Sequence, residues 1–111
     1  MKPERTEKVE RLLQKDLGEI FLIYAKKNYG IIISVTDVKV SSDLSLAKIY
    51  LSIFPHEKAQ NVFSLINIDT KHIRFELGKR IKNQLRIIPD LTFFLDDSLN
   101  YLEKIDELLK K

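Results

Sequence analysis

The sequence predicts a single α+β domain, in which helices pack on one face of a three-stranded sheet. Three observations predict this fold class. Hydrophobic periodicities follow the order α-β-β-α-α-β along the chain, with a last helix after them. A short polar connection joins the first two strands, which is typical of an antiparallel hairpin. The 111 residues of the chain suffice for one core, and the small number of glycines and prolines, three of each, indicates that there is no linker.

The first predicted helix covers residues 4–27. Pro3 is suited to a helix start, and Asn28 and Gly30 to a helix end. Apolar residues recur at three- and four-residue spacing and form one stripe: Val9, Leu12, Leu13, Leu17, Ile20, Ile23 and Tyr24.

The two following segments are rich in β-branched and aromatic residues. In the strand at 31–40, the apolar positions change parity near Thr36, which predicts a bulge or a strand buried on both faces at one end. In the strand at 46–54, the alternation places four residues on the core face: Ala47, Ile49, Leu51 and Ile53. Ser41–Ser45 supplies the turn between the strands.

After Pro55, two helices are predicted, at 56–68 and 71–85. The apolar residues are Val62, Phe63, Leu65 and Ile66 in the first helix, and Ile73, Leu77, Ile81 and Leu85 in the second. The two stripes are out of phase, so residues 67–70 should form a junction, with Asp69 capping the second helix. A third strand at 91–96 and a C-terminal helix capped by Asp97 or Ser98 complete the pattern.

Positive charge is concentrated in the second of these helices. Residues 71–89 contain six Lys/Arg and one Asp/Glu, although the whole chain carries only +3. Such a local patch is either a solvated helix face or a phosphate-binding surface. The candidate contacts on it are Lys71, Arg74, Lys79, Arg80, Lys82 and Arg86, and a weaker second stripe on the first helix comprises Arg5, Lys8, Arg11 and Lys15.

Motifs for catalysis or nucleotide binding are missing from the sequence. It has no cysteine, no glycine-rich phosphate loop, and no spaced histidine ligands. Asp96 and Asp97 are adjacent strand residues that point to opposite faces, so they should not share a proton or a metal. We therefore expect no enzyme, no cofactor and no metal. The charged N-terminus lacks the apolar core of a signal peptide, so a cytoplasmic protein with no membrane association is expected.

Several strings of the sequence resemble the ribosome-binding factor A family, over essentially the whole chain. They are the hairpin Val35–Ser52, the later positions Ile73–Arg74, Leu77, Leu85–Phe93 and Asp96–Ser98, and the ends Arg5-x-x-Lys8-Val9 and Ile105–Leu109. The resemblance implies a type II KH-like RNA-binding domain over 1–111. It also implies binding to the free small (30S) ribosomal subunit, late maturation of 16S rRNA including its precursor 5′ end, cold adaptation, and action beside assembly GTPases. We expect a monomer.

Two departures from the family pattern affect the candidate site. The family's Ala-x-Gly helix junction corresponds to Asp69-Thr70-Lys71 here, and its Lys-Asp-Pro-Arg to Lys27-Asn28-Tyr29-Gly30. The RNA contact of that family arginine is therefore not carried over. The alternative function is a protein–protein interaction domain that uses the open sheet face with Tyr50 and Phe94, and a small hydrolase is a distant third.

Overall fold

The computed structural model describes residues 4–27 and 30–96, and it confirms the α+β fold with the order α-β-β-α-α-β. The elements are α1 (Glu4–Lys26), β1 (Ile32–Val40), β2 (Leu46–Phe54), a 3-10 turn (His56–Lys58), α2 (Ala59–Ile68), α3 (Thr70–Ile81) and β3 (Asp90–Leu95). The predicted C-terminal helix, its cap at Asp97 or Ser98, and Asn28 at the end of the first helix lie outside the described residues.

The sheet has the order β1-β2-β3, with β2 in the centre. β1 and β2 form the predicted antiparallel hairpin, and β2 pairs with β3 in parallel. Parallel strands need a crossover connection, and α2 and α3 provide it between β2 and β3. The order is that of the type II KH-like fold implied by the resemblance.

The bulge predicted in β1 is present. Val35 pairs with Leu51 and Asp37 with Tyr50, so Thr36 is the extra residue on β1. The inserted residue shifts the side-chain alternation by one position. Ile33, Val38 and Val40 can therefore all be buried, although the parity of the first differs from that of the other two.

One hydrophobic core lies between the sheet and the helices. The four predicted β2 residues are at most 5% exposed, and Leu91 and Phe93 of β3 lie beside them. The apolar stripes predicted for α1 and α2 each need one correction. Ile23, placed in the α1 stripe, is 52% exposed, whereas Phe21 is fully buried with its ring edge-on to that of Phe93, 5.8 Å between centroids.

In α2 the predicted apolar residues divide in the same way. Val62 and Ile66 are buried, Phe63 is partly buried, and Leu65 is 48% exposed. Ala59 joins the buried side of this helix. The 3.6-residue period therefore locates the buried side of α2 but not its full width.

The junction between α2 and α3 is confirmed, but it is only one residue long. Asp69 lies between the helices, with φ −90° and ψ 10°. The predicted cap is wrong: the Asp69 carboxylate makes no capping bond and instead accepts a hydrogen bond from the Tyr24 hydroxyl of α1, at 3.0 Å. The Thr70 hydroxyl bonds back to the carbonyl oxygen of Asn67, at 2.9 Å. Contacts to α1 and to the end of α2 thus define the break.

Candidate nucleic-acid interface

The basic residues of α3 are arranged around its buried side. Ile73, Leu77 and Ile81 are almost completely buried. On the outer side, one open groove of about 610 Å³ brings together four of the predicted contacts with three further residues: Lys71, Arg74, Lys79 and Lys82, and Phe75, Gly78 and Ile88. Lys71, Arg74, Gly78 and Lys82 are spaced at i, i+3, i+7 and i+11 in the sequence, a spacing typical of one side of a helix, and all four line this groove.

Arg74 lines this groove, but its guanidinium also holds the chain that enters β3. Its Nε donates to the carbonyl oxygen of Pro89 at 3.0 Å, and its Nη2 to that of Ile88 at 2.7 Å. The same Nη2 lies 3.6 Å from the Asp90 carboxylate. Arg74 therefore has a structural task, because it fastens α3 to β3.

Arg80 is directed to the other margin of α3, toward α1. Its Nη1 donates to the Glu19 carboxylate at 2.5 Å and lies 3.8 Å from that of Asp16. Two carboxylates beside one guanidinium leave this region with no excess positive charge. Of the six predicted α3-region contacts, Arg80 thus contributes least to an attraction for phosphate.

The three lysines of the groove are exposed. Lys79 forms an ion pair with Glu76 at 3.5 Å, and both ends of this pair are in contact with solvent. Within the described ranges, Lys71 and Lys82 have no carboxylate within ion-pair distance. Exposed i,i+3 pairs are weak, so all three ammonium groups can turn toward an anionic ligand.

Arg86 lies in a second, smaller groove of about 170 Å³, and Arg5 of α1 lines it too. The sequence assigned these two arginines to different stripes, and the fold brings them together. The hairpin turn residues Asp43, Leu44 and Ser45 form the rest of this groove with Leu85 and Ile87. The remaining members of the α1 stripe, Lys8, Arg11 and Lys15, are exposed on α1 and line neither groove.

Asp43 gives the smaller groove a permanent negative charge. The hydroxyl of Ser41 donates to its carboxylate at 2.7 Å, and that of Ser45 at 2.8 Å. These hydrogen bonds, that of Ser41 first, lower the pKa of Asp43 to about 2. An ionised carboxylate next to Arg5 and Arg86 opposes phosphate binding, whereas no carboxylate is among the described residues that line the α3 groove.

The two aromatic residues predicted on the open sheet face contact each other. The Tyr50 and Phe94 rings are stacked, with 5.2 Å between centroids, and the Lys39 ammonium lies 5.9 Å from the Tyr50 centroid. Exposed Ile32 and Phe54 lie on the same face. Ser34, Lys48, Ser52 and Thr92 share this face, so it combines apolar and polar side chains.

Phe75 is the residue that the sequence reasoning missed. It is 63% exposed and lies among the lysines of the α3 groove. A signal was available, because Phe75 is two residues from both Ile73 and Leu77. On a helix, that spacing places it on the side opposite the core.

Metal-ligating side chains do not gather into any group of three or more among residues 4–27 and 30–96. In the same ranges, no helix has the length and apolar character needed to cross a membrane.

Comparison with known proteins reveals similarity along almost the full chain. The family model described as ribosome-binding factor A matches residues 5–109. The ribosome-binding factor A of Flavobacterium johnsoniae is 46% identical over 111 residues, covering 98% of this chain and 85% of the relative.

Two solved structures share the fold. The crystal structure of ribosome-binding factor A from Thermus thermophilus has a TM-score of 0.65 at 22% identity, and the match covers 81% of this chain and 94% of that one. A homology model of the same Thermus protein, fitted into the cryo-EM map of a 30S complex, has a TM-score of 0.62 at 22% identity, covering 78% and 90%.

Proposed function

This chain belongs to the ribosome-binding factor A family, and we propose that it binds the free small ribosomal subunit through the α3 groove. The observation that carries this proposal is the row of exposed lysines on α3: Lys71, Lys79 and Lys82. The Thermus relative that was fitted into a 30S complex supports the small subunit as the binding partner.

The proposed ligand of the lysines is the phosphate backbone of 16S rRNA. Each ammonium that neutralises a phosphate releases a condensed counterion, and this release supplies much of the binding free energy. Phosphate contacts position a protein on RNA without reading its sequence. The chain would thus hold immature rRNA in a productive arrangement during late maturation, including processing of the precursor 5′ end, without a catalytic step or a cofactor.

Several broader features belong to the same proposal. The whole chain would act as one KH-like RNA-binding domain and as a monomer. It would work in the cytoplasm, where small subunits mature, beside assembly GTPases and in adaptation to cold. The family resemblance supports these features, whereas the geometry of α3 supports the proposed location of the contact surface.

A sedimentation experiment tests the proposal. The wild-type chain should co-sediment with free small subunits and not with whole ribosomes or large subunits. Changing Lys71, Lys79 and Lys82 together to Gln should release it into the light fractions. The matched control changes three exposed lysines outside the groove to Gln: Lys39, Lys48 and Lys58. If the groove variant co-sedimented as well as the wild type, the subunit-binding site would not be on α3.

The alternative is a protein-binding role for the open sheet face. Exposed Ile32 and Phe54, together with the stacked Tyr50 and Phe94, favour it. Apolar contacts are insensitive to salt, so this function predicts subunit binding that survives high salt and is lost on changing Tyr50 to Ala. Loss of binding in the Lys39, Lys48 and Lys58 control alone would move the charge-dependent contact away from α3 to the surface around these lysines.

A further inference from the structure

Phe75 is an exposed aromatic residue in the centre of the lysine groove. We propose that Phe75 stacks on an unpaired RNA base, so that the α3 groove accepts a single-stranded segment and not a duplex. This inference rests on the proposed function and deepens it, since it names the form of RNA that the groove selects.

The position of Phe75 does not serve the core. Its side chain is 63% exposed, while its neighbours Ile73 and Leu77 are buried on the opposite side of α3. A single exposed aromatic residue is ordinary on a protein surface. The lysines around Phe75 distinguish it, because aromatic rings within a basic groove are the usual means by which proteins bind single strands.

The lysines follow the helix on both sides of the ring. Lys71, Lys79 and Lys82 lie four residues before, four residues after and seven residues after Phe75. These spacings place them on the same side of α3 as the ring. At 1.5 Å per residue, the row is about 16 Å long. A backbone lying along this row would bring its bases next to the ring.

The surface beside the ring is apolar, and no large side chain projects from it. Gly78, three residues on, has no side chain, and a Cβ there would lie 3.5 Å from Cγ1 of Ile88. Ile88 is partly buried and also lines the groove. A flat base can therefore approach the ring. In a duplex the faces of the bases are covered by their neighbours, so only an unpaired base can present its face to Phe75.

A cation already lies over this ring. The Lys79 ammonium is 5.3 Å from the Phe75 centroid, and its ion pair with Glu76 is long and exposed. An exposed ammonium held by such weak contacts is easily displaced. When a base takes its place on the ring, Lys79 can turn to the phosphate of the same strand.

The chain has no tryptophan, so the Phe75→Trp variant carries a single tryptophan, at the proposed contact, that can be excited separately from the tyrosines. The probes are a short unstructured RNA strand and a duplex of the same sequence. We expect the single strand to quench this fluorescence and the duplex to leave it unchanged. The Phe54→Trp variant is the control, because Phe54 is similarly exposed, at 55%, on the open sheet face. Its fluorescence should not respond to either RNA.

Binding measurements complete the test. Phe75→Ala should weaken binding of the single strand roughly tenfold or more and leave duplex binding unchanged, while Phe54→Ala should bind as the wild type does. Three results would overturn the stacking role: no single-strand binding by the wild type, unchanged affinity of Phe75→Ala, or equal losses for strand and duplex. If Phe75→Ala lost the subunit but kept single-strand affinity, Phe75 would contact a subunit protein instead.

The outcomes for stacking and for the proposed function are distinguishable. If the groove lysine variant fails to co-sediment with subunits while Phe75→Ala behaves as the wild type on the single strand, the proposed function stands and stacking is wrong. If the lysine variant co-sediments normally, the proposed function fails, whatever the response to RNA strands.

Discussion

The two sides of α3 use positive charge in different ways. At the margins of the inner side, Arg74 and Arg80 donate to carbonyl or carboxylate oxygens of β3 and α1. On the outer side, the lysines extend into an open groove. A guanidinium offers several donors in a fixed plane and suits contacts between elements, whereas an ammonium is a mobile point charge. The number of basic residues in a segment therefore overstates the charge that is available to a ligand.

The largest expected effect concerns two residues of α3 that lie on opposite sides. Changing fully buried Leu77 to Ala should lower the free energy of unfolding by about 2–5 kcal/mol, because it leaves a cavity in the core. Changing exposed Phe75 to Ala should cost no more than about 0.5 kcal/mol. Equilibrium urea unfolding measures both, and similar losses for the two variants would break the division between an inner and an outer side.

Arg74 provides a sharper test, since it lines the groove and is also fastened to β3. Arg74→Ala should lower the free energy of unfolding by about 1–2 kcal/mol, because two carbonyl oxygens lose a charged donor. Lysine cannot reproduce two donors in one plane, so Arg74→Lys should be nearly as destabilised. Lys71→Ala is the control, with a change within about 0.5 kcal/mol. If Arg74→Ala were as stable as the wild type, the Arg74 guanidinium would have to be counted among the charges that are available to a ligand.

The Tyr24→Phe variant tests whether the hydrogen bond from Tyr24 of α1 to Asp69 holds the start of α3 in place. Burial, and then the hydrogen bond to Asp69, raise the pKa of Tyr24 from 10.0 to about 12. A pKa that is higher in the folded state stabilises the fold below the unfolded-state value, and this contribution disappears as pH rises from about 10 to about 12. Tyr24→Phe should therefore be less stable than the wild type by about 1 kcal/mol at neutral pH.

The difference between these two chains should shrink above about pH 10. Both chains share all other titrating groups, so their comparison isolates Tyr24. Unfolding measured at about pH 8 and about pH 11 gives the result, and a constant difference would mean that Tyr24 does not fasten the junction.

How well a feature of this structure could be predicted from the sequence depends on how far apart in the chain its interacting residues lie. Local alternation identified the buried face of β2 and the parity change that marks the β1 bulge, because both depend on neighbouring residues. Helical spacing correctly placed Lys71 and Lys82 on one side of α3. It did not discriminate Phe21 from Ile23 in α1, since a broad apolar stripe leaves its margins undefined.

The remaining errors concern contacts between residues far apart in the chain. The partner of Asp69 is Tyr24, 45 residues away, so a local capping rule could not find it. Arg80 meets Glu19 across 61 residues. The approach of Arg5 to Arg86 likewise depends on how α1 crosses the hairpin. Which charges remain available is thus a property of the tertiary structure.

The salt dependence of small-subunit binding tests the central claim most directly, namely that the lysines of α3 are its available charges. The logarithm of the affinity falls linearly with the logarithm of the salt concentration, with a slope set by the number of phosphate contacts. Changing Lys71, Lys79 and Lys82 together to Gln should reduce that slope by about two to three units. Arg80→Gln should change it by less than about one unit. An unchanged slope in the lysine variant, or an equal reduction from Arg80→Gln alone, would contradict this account.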